Sequence, residues 1–506
     1  MMEDLKARMP IYFSDFDDIF NLKVLASVLF MFFTSIGPAI TFASLLQKET
    51  DDELGAVEVM LSSAVTGMIW ALIAGQPLVI LGVTGPVTIL TISIYAMAKS
   101  WNINFISFYA WSQMWASLMH LVLACVNFCD VIVLITRFSC EIFGCLIAII
   151  YLYTGATGIA DKFGGAEELE GALFQLVIAL GTAWLAVQLS QARHWVILTE
   201  KVRELISDYG PTGALIAWSF VPYMGSVAMG VDIETLDVPS NFETTSRRPW
   251  LADLTDIPVW AVFAAILPGF ITTVLFVFDH NVSSLLAQEA EFKLKKPPAF
   301  HWDFFVLGLC IFVTGMLGIP PTNGLIPQAP LHTKSLTVIR TVHLAEGGGH
   351  DEIVRVYEQR GSNFCQAFLI GVMCFYPFLD ILSLVPNSAL DGLFLFMGFS
   401  SFGGNQLAER FHLMFTEPRF RESKLPFFTS VPFDVQNQMT IIQAVIVVII
   451  FGVTLTPAAM VFPVLIGILI PFRLVMLPKY MDTAHLEDLD PSGDEKSFER
   501  AHANAD

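Results

Sequence analysis

Two apolar stretches broken by glycine and proline stand at corresponding places in the two halves of this 506-residue chain: GQPLVILGVTGP, Gly75 to Pro86, and GIPPTNGLIPQAP, Gly318 to Pro330. Neither can form one continuous spanning helix, because proline lacks an amide proton and collides with the preceding turn. In hydrocarbon an unpaired backbone N–H or C=O is costly, so irregular backbone at membrane depth survives only where protein buries it or it lines a cavity. Two such breaks, each third in its half, point to a transporter substrate site between inverted repeats.

Composition puts those breaks in a membrane. The chain is 55% hydrophobic and only 15% charged, against roughly 25% charged in a soluble domain, and its mean hydropathy is +0.63. No cleavable signal peptide is expected, because residues 1–20 are mixed and acidic without an apolar core. The net charge of −20 resides in loops and tails such as KETDDE (Lys48 to Glu53), AEELE (Ala166 to Glu170) and HLEDLDPSGDE (His485 to Glu495). Such acids solvate the surface and disfavour nucleic acid as a partner. All seven cysteines fall within or beside apolar stretches and read as packing residues, with no disulfide framework or metal site.

The apolar runs predict an all-α polytopic membrane protein with about fourteen segments, near 22–46, 56–74, 76–98, 104–128, 137–156, 172–190, 210–230, 257–287, 302–317, 319–336, 362–384, 386–402, 438–454 and 457–478. The third and tenth are the broken ones. Division falls into a short cytoplasmic N-terminus (1–21), a first inverted seven-segment repeat (22–230), an extracellular linker (231–256), a second repeat (257–480) and a cytoplasmic acidic tail (481–506) that reads as mobile beyond Met481. Alternate loops gather Arg193, Lys201, Arg203, Lys293, Lys295, Lys296, Arg340, Arg355, Arg360, Arg410, Arg419, Arg421 and Lys424, whereas the opposite side keeps Lys48, Lys99, Lys162, Arg247 and Arg248. That asymmetry predicts both termini in the cytoplasm. The stretch Thr341 to Gly361 reads as a flexible connector, and Asn405 to Phe415 as a short amphipathic or connecting helix.

Ionisable groups inside spans are functional candidates. Asp279, in LFVFDHNVSSLLAQ (Leu275 to Gln288), follows more than twenty largely apolar residues. Its carboxylate there needs a proton, a cation or hydrogen-bond donors, and burial favours the protonated form, which fits a coupling role. His280 points about 100° away on a helix; it is a second candidate for proton relay, though a ring satisfied by a backbone carbonyl is the simpler expectation. Arg137 and Glu141, at i and i+4, read as a structural ion pair. Around the breaks, Pro86 suits the first turn of a half-helix with Thr84 as cap. In the second segment Pro320, Pro321, Pro327 and Pro330 are expected to delay helix until about Leu331, leaving Asn323 and Gln328 as polar side chains beside the break. Facing half-helix N-termini would present amides, near Thr84, Gly85, Pro86, Val87 and Thr88 and from Ile326 onward, to a small oxygen-rich solute.

On these residues the chain resembles the bicarbonate and anion-exchanger transporter family, most closely its borate-exporter branch. The resemblance lies in GPAITFASLL (Gly37 to Leu46), QPLVILGVTGP (Gln76 to Pro86), TRFSCEIF (Thr136 to Phe143), VFDHNVSSLLAQ (Val277 to Gln288), NGLIPQAPLHTKSL (Asn323 to Leu336) and EQRGSN (Glu358 to Asn363). It implies a core and a gate domain, a homodimer formed through gate helices, a plasma-membrane location, an acidic site residue at Asp279 and elevator-like transport of borate or boric acid. Chloride–bicarbonate exchangers carry arginine where this chain has Gln328, which favours a neutral or proton-compensated substrate. Animal relatives have a large N-terminal domain, whereas only about twenty residues precede the first span here. The stretch VTGPVTIL (Val83 to Leu90) is closer to fungal or bicarbonate-type sequences. Bicarbonate, with sodium or a proton, is the alternative substrate, and a nucleobase carrier of the same fold is less favoured. A non-transporting membrane scaffold or sensor is the alternative of a different class. No cofactor and no enzymatic constellation is indicated.

Overall fold

The computed structural model describes residues 1–164, 169–224, 233–239, 241–289, 292–343, 349–421, 428, 430–456 and 458–490. The chain begins with α1 (Met2–Arg8) and a 3-10 segment, Met9–Phe16, then runs through α2 (Leu22–Glu49), α3 (Ala56–Ile73), β1 (Leu81–Gly82), α4 (Gly85–Ser100) and α5 (Phe105–Cys125). Next come α6 (Arg137–Gly164), α7 (Leu169–Ser190), α8 (Glu200–Phe220), α9 (Val259–Ala264), α10 (Ile266–Ala287), α11 (Phe300–Leu317), β2 (Asn323–Gly324) and α12 (Gln328–Ser335). After the β3 (Thr337–His343) and β4 (Gly349–Val356) hairpin, α13 (Gly361–Val372), α14 (Phe378–Leu382), α15 (Asn387–Ser401), α16 (Gln406–Phe415), α17 (Phe433–Thr454), α18 (Phe462–Pro471), α19 (Leu477–Tyr480) and α20 (Thr483–Leu489) complete the chain.

Among the described residues, eight helices are long and apolar enough to cross a membrane: Leu22–Glu49, Ala56–Ile73, Arg137–Gly164, Leu169–Ser190, Val259–Ala287, Phe300–Leu317, Phe433–Thr454 and Ala459–Tyr480. Local signals set several ends. The Asn21 and Asn104 side chains accept from the amides of Lys23 and Ser107 to cap α2 and α5. Gly318, at φ 61°, closes α11 in the left-handed conformation that glycine adopts without a steric penalty.

Packing gathers the helices into two groups. Helices α3, α5, α10, α11, α12 and α13 pack on one another together with α2, while α6, α7, α8, α15 and α17 form a second set, with α2 and α15 meeting between them. The two broken segments cross inside the first group as a two-residue antiparallel pair, Leu81 opposite Gly324 and Gly82 opposite Asn323.

Five sequence expectations are corrected. Helix α8 begins at Glu200 rather than near 210, so Lys201 and Arg203 sit in its first turn and not in a loop. The connector after Thr341 contains the end of β3 and all of β4, strands whose Val and Ile residues favour pairing; residues 344–348 between them lie outside the described residues. The first part of the tail beyond Met481 folds into α20, because Leu486 and Leu489 are buried and Asp490 both pairs with Arg473 at 2.8 Å and accepts from the Phe138 amide at 2.9 Å; the rest of the tail, residues 491–506, lies outside the described residues. Helix α12 starts at Gln328, three residues earlier than expected, since first-turn amides have no intrahelical partner and proline there loses nothing. Glu141 faces Arg410 at 3.6 Å, while Arg137 is exposed at the start of α6; i,i+4 neighbours on a helix yield to a buried cation arriving from α16. The segment Asn405 to Phe415 is a helix as read, with Asn405 as its cap.

Candidate functional site

Residues 75–79, before β1, take part in no ladder, so side chains meet their backbone groups. Asp303 of α11, 1% exposed, accepts from the amides of Gly75 (2.5 Å) and Gln76 (3.1 Å). Trp70 Nε1 donates to the Gln76 carbonyl, Asn363 Nδ2 to those of Pro77 and Val79, and His332 Nδ1 to that of Leu78. The carbonyl contact makes His332 an Nδ1–H tautomer, leaving Nε2 to accept from Ser362 Oγ at 2.7 Å. On the second segment Gln113 Nε2 donates to the Ile319 carbonyl, Ser62 Oγ to that of Pro320, and the Leu325 amide to the Ile80 carbonyl at 2.8 Å. Interrupted backbone in both segments is thus satisfied in large part by side chains from the surrounding helices.

At the crossing, Asn323 Nδ2 donates to Asp279 Oδ2 at 2.5 Å, joining β2 to α10; the carboxylate is 2% exposed. The Thr84 hydroxyl lies beside the same carboxylate without a hydrogen bond of good geometry. Thr84 is the residue at the N-cap of α4, but its backbone and not its side chain opens the helix; Pro86 occupies the first turn, as read. Thr88 Oγ1 donates back to the Thr84 carbonyl. Gly85, Pro86 and Val87 are buried in the first turn, and Ile326 lies in the turn before α12. Gln328 opens α12 and donates to the Thr34 carbonyl of α2 at 3.3 Å.

The unpaired atoms include acceptors and donors. Asn323 Oδ1, Gln328 Oε1 and Thr84 Oγ1 are buried without a partner among the described residues, as are the Ser283 hydroxyl and both His280 ring nitrogens. With Asp279, the set carries one carboxyl group and no cation.

His280 departs from expectation. Neither ring nitrogen meets a backbone carbonyl among the described residues. The ring stands edge-on to Trp70, centroids 4.9 Å apart, and presses on the Gly324 backbone, where a β-carbon would fall 3.1 Å from its Nδ1 and 2.8 Å from Ser283 Oγ. Glycine at 324 lets the second broken segment approach α10.

Asp303, His332, Asn363 and Gln113 escaped the sequence reading, although each is a polar residue in or beside an apolar run. So did Tyr151 of α6, whose hydroxyl lies against the Gly85 backbone. Among the described residues no cluster of histidine, cysteine, aspartate or glutamate could hold a metal ion.

The sequence matches the family model described as the HCO3- transporter integral membrane domain over residues 1–168 and 165–494. This chain belongs to that family. It is 36% identical over 431 residues to Boron transporter 1 of Saccharomyces cerevisiae, covering 84% of this chain and 73% of the relative. It is 31% identical over 587 residues to Probable boron transporter 3 of Arabidopsis thaliana, covering 96% and 80%. In fold it is similar to the transmembrane domain of the cyanobacterial bicarbonate transporter BicA, with TM-score 0.56, 13% identity, and 85% and 97% of the two chains covered. The HCO3- transporter family assignment, with the apolar helices, makes this an integral membrane protein of the anion-transporter class.

Proposed function

We propose that this protein is a secondary transporter of boric acid or borate, an exporter coupled to protons. The observation that carries the reading is the crossing of the two broken segments, where Asp279 is held by Asn323 beside the N-terminus of α4. Similarity to boron transporters of yeast and Arabidopsis supports the substrate. So does the donor–acceptor balance: boric acid offers three O–H donors, and the unpaired oxygens of Asn323, Gln328 and Thr84, together with the Asp279 carboxylate, are acceptors for them. The N-terminal amides of α4 and α12 would receive the solute's oxygen lone pairs, and would favour the tetrahedral borate formed when boric acid takes up hydroxide.

Transport follows an elevator-like movement of a core, residues from α2 to α5 and α10 to α13, against a gate built from the remaining spanning helices, arranged as two inverted seven-segment repeats. The gate helices form the homodimer contact, the termini face the cytoplasm and the protein resides in the plasma membrane. Asp279 takes a proton in one orientation and releases it in the other; His280, unpaired and adjacent, is the second proton-bearing group of this scheme. The test is flux in proteoliposomes with boric acid and bicarbonate offered separately, with and without a pH gradient or sodium. Borate flux that follows the pH gradient in the parent and loses that dependence in Asp279→Asn, with a rate lowered about tenfold or more, is the expected result; one hydrogen bond to a charged group contributes roughly 1.5–3 kcal/mol. An Asp279→Asn variant with unchanged pH dependence overturns the coupling role. Bicarbonate is the second reading, favoured by the family description and the fold shared with BicA. Sodium-dependent bicarbonate flux would replace the substrate and keep the site.

A further inference from the structure

A vestibule of about 920 Å³ opens on the face where α2 ends, opposite the N-terminus of that helix. Gln47 and Lys48 line it from α2, Thr154 and Thr157 from α6, and Asp391 and Phe394 from α15. Phe394 also belongs to a second structure. Its ring stands 5.9 Å from that of Phe42 and 6.2 Å from that of Tyr151, and Phe42 and Tyr151 stand 5.8 Å apart. Three rings from three helices, α2, α6 and α15, thus touch one another. Beyond them the Tyr151 hydroxyl reaches the first turn of α4: a β-carbon at position 85 would lie 2.6 Å from Tyr151 Cε1 and 2.9 Å from its hydroxyl oxygen. The vestibule, the ring cluster and the α4 N-terminus therefore lie in series.

We propose that Phe42, Tyr151 and Phe394 form an aromatic gate between the vestibule and the Asp279 site, and that Tyr151 also holds, through its hydroxyl on the Gly85 amide, the place that a substrate oxygen takes at the α4 N-terminus. This assignment rests on the transport reading for its substrate but not for its geometry. A phenol is suited to both tasks, since its ring excludes water while its oxygen satisfies an otherwise orphaned first-turn amide. Because Tyr151 stands on α6 and Gly85 on α4, relative movement of the two helix groups opens the ring cluster and vacates the amide in one step. A substrate oxygen that enters as the phenol withdraws takes over its hydrogen bond, so that the amide is not left unpaired in apolar surroundings.

Two measurements test this. In protein whose exposed Cys125 and Cys365 are replaced by serine, Thr84→Cys reports from below the ring cluster and Ser44→Cys, in the vestibule wall, from above it. A membrane-impermeant thiol reagent supplied from the vestibule face, without substrate, is expected to label Ser44→Cys equally with or without Tyr151→Ala, and to label Thr84→Cys about tenfold faster or more when Tyr151 is alanine. Tyr151→Phe keeps the ring and should leave Thr84→Cys protected, while lowering the half-saturating boric acid concentration about threefold or more, because the solute no longer displaces a hydroxyl. Unchanged Thr84→Cys labelling in Tyr151→Ala, with Ser44→Cys still reactive, overturns the gate; an unchanged or raised half-saturation in Tyr151→Phe overturns the competition. The labelling arm needs no transport, so failure of borate as substrate leaves it readable.

Discussion

Glu358 shows how a single residue outside the spans carries a measurable cost. Its carboxylate sits between the hairpin and α13, accepting from the amides of Lys295 (2.7 Å) and Lys296 (3.2 Å). Burial nevertheless pushes its pKa above the ordinary glutamate value of 4.5, with those amides and the Lys296 charge pulling the other way. The folded state therefore binds this proton more tightly than the unfolded chain does. Its contribution to stability is greatest below the ordinary value and falls as pH rises through the raised one. Thermal unfolding of Glu358→Gln in detergent should lose that part of the decline as pH rises above the ordinary glutamate value of 4.5; a slope identical to the parent's would show that the side chain is equally solvated in both states. Residues such as Asp279 were legible because a carboxylate after a long apolar run has few structural excuses. Asp303 and Asn363 were not, because their partners are backbone groups more than 200 residues away, and no local pattern announces a side chain that mends a distant break.

At the scale of elements, the first sixteen residues act as a strap across one end of the core. Asp4 accepts from the amides of His301 and Trp302 to cap α11, and Tyr12 donates to the Leu72 carbonyl at the end of α3. Asp15, 1% exposed, pairs with Arg360 at 2.7 Å and with Lys296, and the Arg360 guanidinium lies over the Tyr12 ring at 4.5 Å. Removing one partner of a buried pair strands the other charge, at a cost of about 3–5 kcal/mol. Asp15→Ala is expected to lower the unfolding temperature markedly while Asp17→Ala, on the exposed residue just after the strap, leaves it near the parent's; equal melting of both variants would mean that the strap contributes nothing. The sequence supports the existence of this segment but not its attachment. Hydrophobic periodicity marks spans strongly, whereas an ion pair joining residues 15 and 360 has no periodic signature. The same reason explains the C-terminal helix, whose anchor is Asp490 on Arg473 and whose polar composition reads as solvated tail.

At the scale of the whole molecule, the two helix groups are tied across the vestibule mouth by Lys48 of α2 and Asp161 of α6, 2.6 Å apart and both more than half exposed. Exposed pairs contribute only about 0–1 kcal/mol and weaken with salt. Lys48→Glu should therefore change the transport rate by no more than about fivefold, most at low ionic strength, and Lys48→Glu with Asp161→Lys should return it. A single reversal that abolishes transport at every salt concentration would assign the pair a greater role. The broad architecture was visible in the chain because membrane burial forces long apolar runs and matched breaks. How those breaks pair, Leu81 to Gly324, was not, since two-residue strands fall below any pattern of alternation. That pairing has a consequence for how the protein is made. The backbone of residues 75–79 finds partners in Asp303, His332 and Asn363, and Ile80 finds its own in Leu325, all emerging from the ribosome more than 200 residues later. A nascent chain paused before that point holds its third apolar segment with polar groups still unmet. The third apolar segment therefore becomes fully compatible with a lipid interior only after the second broken segment and its neighbours have been made.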